Sequence, residues 1–496
     1  MLISLTLPSR PSGTPGSEGR QLDLPSAICL AVLIFGLFRP IGFLLAAAWA
    51  LAALGSLAVV PTELTGGTSL VAGSVGMLFI VLKVLGTPGG LSGIIGTSLD
   101  IRRLGLLTTF TIVAAAGAFI LPRVFQGDVD VFPMRFGARA VMEPLGPTAA
   151  NFTQTAYLIV SFLVAACFCW LAIRRRFVDD FGWAVVVGAI AVVVTGLLDL
   201  ITNRLGMGDV LSVFRTASYG LAITAEIQGV KRTIGLMPEA SSFGGLVAFY
   251  FALLLFTRHV YAPSVRRRTV NPLIAACGAF AVLSTSSTAY AALAVTVCLF
   301  TLNNVRGLLF GSAVDRSRYL RELILVVVTV TILFLAAMFF DETRDTLYSI
   351  FDQMVLQKTQ SSSYIERSSW TRVALEAWEA TGGLGVGAGS VRTSNFFANI
   401  LASTGFPGFA LFLAFLVRVF TSPPPAGDQR LAELVRGSKL ALVPSLVGAS
   451  LAGTTPDYGG TTAALFGIVV GAAALKLLRP SSVKQYGPRE GSLRST

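Results

Sequence analysis

Long runs of apolar residues recur along the chain, and this feature constrains the fold more than any other. The runs are about 14 to 25 residues long, close to the roughly 20 that a helix needs to cross the hydrocarbon core of a membrane. Hydrophobic residues make up 54% of the 496-residue sequence and charged residues only 13%, whereas about 25% is usual in soluble domains. The runs do not alternate apolar and polar residues as membrane β-barrel strands do. The sequence therefore predicts an all-α polytopic integral membrane protein.

The apolar runs predict a single transmembrane domain over residues 25–478, a bundle of about 12 or 13 transmembrane helices. A polar tail, 1–24, precedes this domain and a basic tail, 479–496, follows it. The total stays open between 12 and 13 because some runs are short. We place the spans at 25–38, 41–60, 68–86, 105–122, 154–173, 182–202, 243–257, 272–284, 288–302, 322–340, 396–417, 437–453 and 461–478.

Basic residues cluster in the short connections between these spans. Runs such as Arg174–Arg176 and Arg266–Arg268 are separated by even numbers of crossings, so one face of the bundle collects them. The positive-inside rule makes that face cytoplasmic. This bias accounts for the net charge of +12 without nucleic acid as a partner. The C-terminus is predicted to be cytoplasmic.

Three longer connections fall on the opposite face, at 123–153, 203–242 and 341–395. Loops beyond about 15 residues are usually functional or disordered, and the last two carry helical patterns. We expect two short amphipathic helices, in DVLSVFRTASYGL and in SYIERSSWTRVALEAWEA. Their apolar faces comprise Leu211, Phe214, Ser218 and Leu221 in the first, and Trp370, Val373, Ala374, Ala377 and Trp378 in the second.

Arginine supplies most of the positive charge in these two loops, on a face where positive residues are expected to be scarce. The arginines include Arg215 and Arg232 in the first loop, and Arg367, Arg372 and Arg392 in the second. A guanidinium fork binds phosphate oxygens bidentately and stays charged close to a membrane. The alternative for each arginine is an ion pair with a loop acid or contact with lipid head groups. The spacing of Arg372 favours such a pair, with Glu376.

Two stretches carry a resemblance to the O-antigen polymerase and ligase superfamily. KRTIGLMPEASSFGG resembles its segment R-x-x-G-x-x-x-E-(P/A)-S-x-F, and ERSSWTRVALEAWEATGGLGVGAGSVRTS resembles the second periplasmic loop of Wzy-like exopolysaccharide polymerases. The stretch LSTSSTAYAAL is similar to the family's S-x-S-R-T sequence and departs from it at Thr288. The resemblance covers roughly residues 180–420.

This resemblance implies a metal-independent membrane glycosyltransferase without a cofactor, in the bacterial inner membrane. Its donor and acceptor would be undecaprenyl-pyrophosphate-linked glycans, and it would join their oligosaccharide repeat units at the periplasmic face. A sugar hydroxyl attacks the anomeric carbon of the donor, and the lipid pyrophosphate leaves. Such an enzyme works within the lipid bilayer, and a chain-length regulator or an export complex is a further partner to consider.

Residue roles follow from that chemistry, which needs positive groups at the leaving pyrophosphate and a base near the acceptor hydroxyl. Catalytic roles are predicted for Arg232 and Arg367 as phosphate clamps and for Glu239 as a base or acceptor-positioning group. Glu239 has a structural alternative beside a helix N-terminus, and Ser241 has one as a helix cap. The predicted substrate-binding residues are Arg215, Ser241, Arg372, Ser390, Arg392 and Asp199.

Three of these residues are chosen for their positions. Asp199 is an ionisable residue near the end of a predicted span, which makes it a functional candidate by default, although it also lies within reach of interfacial water. The glycines of GGLGVGAGS are expected to let the backbone approach a sugar or phosphate. Ser390 and Arg392 then lie at the rim of that approach.

Three other functions stay open beside the polymerase, and one of them is that of a non-catalytic assembly partner in a polysaccharide export complex. A ligase that transfers finished glycan resembles the same superfamily, but those enzymes carry a periplasmic histidine, and the single histidine here, His259, lies in the basic patch RHVYAPSVRRR. A flippase or transporter of lipid-linked oligosaccharide also fits a bundle with many spans. Transporters often show two repeated halves, and no repeat is evident in this sequence.

Overall fold

A computed structural model of the chain describes residues 23–60, 69–134, 141–217, 226–227, 230–339 and 362–473. Helices dominate these residues, and three two-stranded antiparallel ribbons lie between them. The helices are α1 (Leu24–Phe38), α2 (Ile41–Leu51), α3 (Ala72–Leu85), α4 (Gly90–Leu99), α5 (Gly105–Val124), α6 (Ala149–Leu171), α7 (Phe177–Arg204), α8 (Ala240–Thr257), α9 (Pro263–Val265), α10 (Asn271–Leu283), α11 (Ser287–Phe310), α12 (Ala313–Phe339), α13 (Ser362–Ala380), α14 (Phe396–Thr421), α15 (Gln429–Ala452) and α16 (Gly460–Ala473). The strands are β1 (Ala58–Val60), β2 (Leu70–Val71), β3 (Asp130–Val131), β4 (Glu143–Pro144), β5 (Glu226–Ile227) and β6 (Val230–Lys231).

Seven of the described helices are long and apolar enough to cross a membrane: α5, α6, α7, α8 with the turn that follows it, α11, α14 and α15. An eighth is possible by the same criteria where α3 and α4 meet at a bend of 107°, as a broken span or a re-entrant loop. The helices α1, α2 and α16 are apolar but shorter. These features confirm the predicted all-α polytopic membrane protein.

The predicted spans and the described helices differ in detail. Each predicted span overlaps a helix, but the length and hydropathy criteria give seven or eight crossings within the described residues, fewer than the 12 or 13 expected. Residues 87–104 lie between two predicted spans, and the structure has α4 there. Its sequence, GLSGIIGTSL, mixes glycine and serine with the apolar residues, which weakens the apolar signal.

The two predicted amphipathic helices have different outcomes. In the first loop, a short 3-10 helix covers Gly208–Phe214, and 218–225, where that apolar face was expected to continue, lies outside the described residues. In the second loop, α13 forms as predicted. Its apolar face packs inward, because the described structure buries Trp370, Val373, Ala374 and Ala377.

The core of the bundle is built from closely packed helices. The helix α6 packs along α16, and Gly467 of α16 allows the contact because a Cβ atom there would lie 2.2 Å from the Ala165 carbonyl oxygen. The helix α2 packs along α7, where the buried rings of Trp49 and Phe181 meet edge to face. The Tyr250 hydroxyl of α8 donates to the Trp49 carbonyl oxygen at 2.9 Å. Small residues and satisfied polar groups of this kind are typical of membrane helix interfaces.

Candidate functional site

The segment that leads into α8 is anchored by a buried ion pair. Asp199 of α7 accepts hydrogen bonds from the backbone amides of Ile234 at 2.8 Å and Gly235 at 3.2 Å. Its other carboxylate oxygen lies 3.4 Å from Nη2 of Arg215, and both side chains are less than a tenth exposed. The same Arg215 nitrogen donates to the Gly235 carbonyl oxygen. Asp199 and Arg215 were predicted to bind substrate; the structure shows them as buried anchors of this segment, and their part in substrate binding stays a prediction.

Arg232 begins that segment and is held by the break between α10 and α11. Its Nε donates to the Thr285 hydroxyl at 3.1 Å, and its Nη2 donates to the Thr285 carbonyl oxygen at 2.8 Å. Thr285 has a φ of 44°, a left-handed conformation that is uncommon for a β-branched residue. Two contacts to one residue fix the plane of the guanidinium and leave Nη1 without a described protein acceptor.

Glu239 lies directly before α8, in an extended conformation and without a capping hydrogen bond from its side chain. Its Oε1 accepts a hydrogen bond from the Ser241 hydroxyl, and its Oε2 lies 3.5 Å from Nη2 of Arg367. The Glu239 side chain is 39% exposed. Ser241 was given helix capping as its structural alternative, but the residue at the cap position is Glu239, and Ser241 orients its carboxylate.

On helix α13, Arg367 contacts Glu239, whereas Arg372 contacts a residue of its own helix. Arg372 pairs with Glu376 at 2.8 Å, and both side chains are more than half exposed, as the i, i+4 spacing predicted. Arg367 is 33% exposed. The two arginines, five positions apart, point to different sides of the helix. Arg367 therefore belongs to the group around Glu239, and Arg372 forms a local surface pair.

Arg392 approaches the same group from the chain that follows α13. Its guanidinium carbon lies 3.9 Å from the centre of the Trp370 ring, a cation–π contact that holds the charge in place. Burial is the largest influence on the pKa of Arg392 and lowers it, and the positive charge of Arg367 lowers it further. The carboxylates of Glu366 and, more weakly, Glu239 raise it. Arg392 is therefore close enough to feel the charges of Arg367 and Glu239.

The charges of Glu239 and Arg367 also affect the pKa of Arg232. Burial lowers its pKa, Glu239 is the largest opposing influence, and the charge of Arg367 adds to the lowering. An arginine keeps its proton in proteins despite such shifts. Arg367 thus pairs with the carboxylate of Glu239, and Arg232 and Arg392 lie near enough for that carboxylate to affect their pKa values. We call these four side chains the arginine cluster.

The glycine-rich loop GGLGVGAGS packs against other parts of the protein and thereby helps to position the arginine cluster. Gly389 has a φ of 87°, and a Cβ atom there would lie 2.3 Å from the Ala150 carbonyl oxygen of α6. Ser390 is only 3% exposed and its hydroxyl accepts a hydrogen bond from Nδ2 of Asn151 at 2.8 Å. Ser390 was predicted to lie at the rim of a substrate site; the structure buries it against Asn151, and its part in substrate binding stays a prediction. The close backbone approach expected of the glycines is made here to the neighbouring helices.

An open cavity of about 680 Å³ lies beside the cluster, between α13 and the facing ends of α11 and α15. Two arginines, Arg367 and Arg372, and two acids, Glu376 and Glu379, form part of its wall, together with small polar residues such as Asn395. The wall itself is therefore balanced in charge, and its hydroxyl and guanidinium groups can bind a polar ligand beside the arginine cluster. Among the described residues, no group of three or more histidine, cysteine, aspartate or glutamate side chains is arranged to hold a metal ion.

Two features of this region were missed in the sequence analysis. Thr285 holds Arg232, a contact between segments 53 positions apart that no sequence spacing predicts. Asp457, in the turn before α16, lines a cavity of about 320 Å³ with Tyr157, Ser161 and Pro238, the residue before Glu239. Desolvation raises the pKa of Asp457 to about 6, and hydrogen bonds from Ser161 and the Gly459 amide offset only part of that effect. A carboxyl group with a raised pKa in a cleft is a functional-site candidate.

The fold and the cluster define a polytopic α-helical membrane protein with a cationic polar site at one end of its bundle. Comparisons with protein-family models and with curated proteins find no match to the chain.

Proposed function

We propose that the protein is a polysaccharide polymerase, a membrane glycosyltransferase that joins undecaprenyl-pyrophosphate-linked oligosaccharide repeat units. The resemblance of the two loop sequences to Wzy-like polymerases suggests this chemistry. We further propose that the arginine cluster lies at the periplasmic face of the bacterial inner membrane, in a bundle of about 12 or 13 spans with both long loops on that face.

One observation carries the proposal. Arg367 pairs with the partly exposed carboxylate of Glu239, and Arg232 and Arg392 lie near enough for its charge to affect their pKa values. The carboxylates of Glu239 and Glu366 balance two of these three guanidinium groups, so a net charge of about +1 is left by formal count. A diphosphate ester next to the cavity would complete that balance through charge-assisted hydrogen bonds.

The proposed reaction uses each of these groups. The acceptor hydroxyl attacks the anomeric carbon of the donor, so a new glycosidic C–O bond forms as the bond from that carbon to the pyrophosphate oxygen breaks. The hydroxyl proton passes to Glu239, and the lipid pyrophosphate leaves with the electron pair. The guanidinium groups stabilise the negative charge that develops on the leaving group. The contacts of Arg232 with Thr285 preorganise one of them.

In vitro chain extension tests the proposal. Purified protein in liposomes would receive a single lipid-linked repeat unit, without nucleotide sugar and without added metal ion. We expect a ladder of longer lipid-linked products from the wild type, none from Arg367→Ala, and a normal ladder from the control Arg436→Ala, which removes an exposed arginine of α15 that has an ion pair of its own with Glu433 and does not line this cavity.

Other products would identify another function. Movement of the substrate across the bilayer without bond formation would mean a flippase. Transfer of glycan only to an added lipid A core acceptor would mean a ligase. Either result would overturn the polymerase proposal.

A further inference from the structure

A second large cavity lies at the end of α8 farthest from Glu239, where α8, α10, α11 and α12 meet. Its volume is about 800 Å³, within the roughly 300–1,000 Å³ that is typical of ligand sites. Its inner wall is apolar and includes Ile274, Phe300 and Leu325. Leu325 is 65% exposed, so this apolar wall opens at the side of the bundle, where lipid chains lie. We call it the α12 cavity.

The mouth of the α12 cavity is strongly basic. The described side chains that line it include one carboxylate, that of Glu322, and four guanidinium groups, those of Arg258, Arg266, Arg318 and Arg321. Arg258 forms an ion pair with this carboxylate, and its Nη2 lies 2.6 Å from Oε1 of Glu322. Its guanidinium carbon also lies 4.8 Å from the centre of the Phe300 ring.

The other basic side chains at the mouth have few hydrogen-bond acceptors among the described residues. His259 bridges the two sides of the mouth, with Nε2 at 3.2 Å from the same Glu322 oxygen and Nδ1 accepting from Arg266 at 2.9 Å. No described carboxylate lies within ion-pair distance of Arg318 or Arg321. Nε of Arg321 donates to the Ser317 carbonyl oxygen at 3.2 Å. Nε of Arg318 is buried and has no hydrogen-bond partner among the described residues.

We propose that the α12 cavity binds an anionic phospholipid of the surrounding bilayer, with its phosphate at Arg318 and Arg321 and its acyl chains along the apolar wall. Guanidinium forks match phosphate geometry, and basic pockets between membrane helices on the cytoplasmic side bind anionic head groups. A phospholipid supplies both the negative charge and the apolar chains that this cavity can take. The site is separate from the arginine cluster and does not rest on the proposed polymerase activity.

The test uses purified, delipidated full-length protein in detergent and native mass spectrometry. Phosphatidylglycerol is compared with phosphatidylcholine of the same acyl chains, and with glycerol 3-phosphate and inorganic phosphate as soluble competitors. We expect phosphatidylglycerol to bind at least about tenfold more tightly than phosphatidylcholine, because each basic residue contributes to anionic-lipid affinity. The soluble phosphates should not compete, since they lack the chains.

Substitutions in the cavity, compared with a matched control outside it, show where the lipid binds. The double variant Arg318→Ala with Arg321→Ala should lose about tenfold or more in phosphatidylglycerol affinity. Its control removes two exposed arginines at the same end of the bundle but outside the cavity, by Arg102→Ala with Arg436→Ala, and should bind like the wild type. Leu325→Trp keeps every charge and fills the apolar wall, so it should also weaken binding if the double variant does not fold.

Three results would overturn this inference. They are equal affinity for the two lipids, competition by inorganic phosphate at concentrations comparable to the lipid, and unchanged phosphatidylglycerol affinity in both the double variant and Leu325→Trp.

Discussion

At the scale of single residues, arginines that look alike in the sequence have different surroundings in the fold. Arg215 is buried against Asp199, Arg372 is exposed beside Glu376, and Arg232 makes two contacts with Thr285. Charge alone does not separate them, because each carries one guanidinium. Their neighbours distinguish them: Glu376 lies one helical turn from Arg372, whereas Asp199 and Thr285 belong to other elements of the fold.

Arg232→Lys tests whether the two-point contact with Thr285 matters. A lysine has a single ammonium group and cannot reproduce a planar fork. We expect chain extension to fall by about a hundredfold, the usual cost of losing one preorganised donor at a developing charge. The control Arg436→Lys, at an exposed arginine outside the cavity, should keep normal activity. Rates of lipid-linked product formation measure both, and equal rates for the two variants would refute the role of the fork.

Arg215→Ala tests the buried anchor. Removing one partner of a buried ion pair leaves the other charge uncompensated, which costs about 3–5 kcal/mol, and Asp199 would keep only its two amide contacts. We expect a clear fall in the unfolding temperature in detergent, larger than that of Arg372→Ala, since exposed pairs contribute little. An unchanged unfolding temperature would show that this ion pair does not anchor the segment.

Asp457 makes stability depend on pH. Its pKa is raised from 3.8 to about 6 in the folded protein, so between these values the folded state holds a proton that the unfolded state has lost. Stability therefore falls as pH rises through this window. Asp457→Asn should remove that part of the slope when the unfolding temperature is measured against pH. A slope identical to that of the wild type would exclude Asp457 as its source.

At the scale of elements, the glycine-rich loop after α13 acts as a packed support. Gly387 has a φ of 92°, and a Cβ atom there would lie 2.9 Å from the Gly117 carbonyl oxygen and from atoms of Pro122 in α5. The amide of Gly387 also donates to the Ser403 carbonyl oxygen of α14. The loop thereby positions the chain that carries Arg392.

Gly389→Ala should therefore destabilise the protein and reduce activity through Arg392. A left-handed φ and a close carbonyl oxygen each oppose an added methyl group, at a cost of about 1–3 kcal/mol for the backbone conformation alone. The control Gly96→Ala lies in α4, where an added Cβ has no neighbour within 4 Å, and should be neutral or slightly stabilising. Unfolding temperatures of the two variants decide this, and equal values would contradict the support role.

At the scale of the whole molecule, hydropathy predicted the helical membrane fold well because every backbone polar group in a bilayer must be satisfied within the protein. The lengths of the apolar runs predicted most helices, and the 3.6-residue spacing of apolar residues in α13 predicted its buried face. The bend between α3 and α4 was missed, since glycine and serine dilute the apolar signal there. The burial of Asp199 and Ser390 could not be predicted either, because packing and long-range hydrogen bonds decide it.

The central claim is that the arginine cluster binds a diphosphate, and equilibrium binding tests it most directly. Undecaprenyl pyrophosphate and undecaprenyl monophosphate would be titrated into the protein in nanodiscs, for the wild type and for Arg232→Ala, Arg367→Ala and Arg392→Ala. We predict tighter binding of the pyrophosphate, by about tenfold or more, and loss of that preference in each variant. Equal affinity of the wild type for the two lipids, or a preference that survives all three substitutions, would contradict the claim.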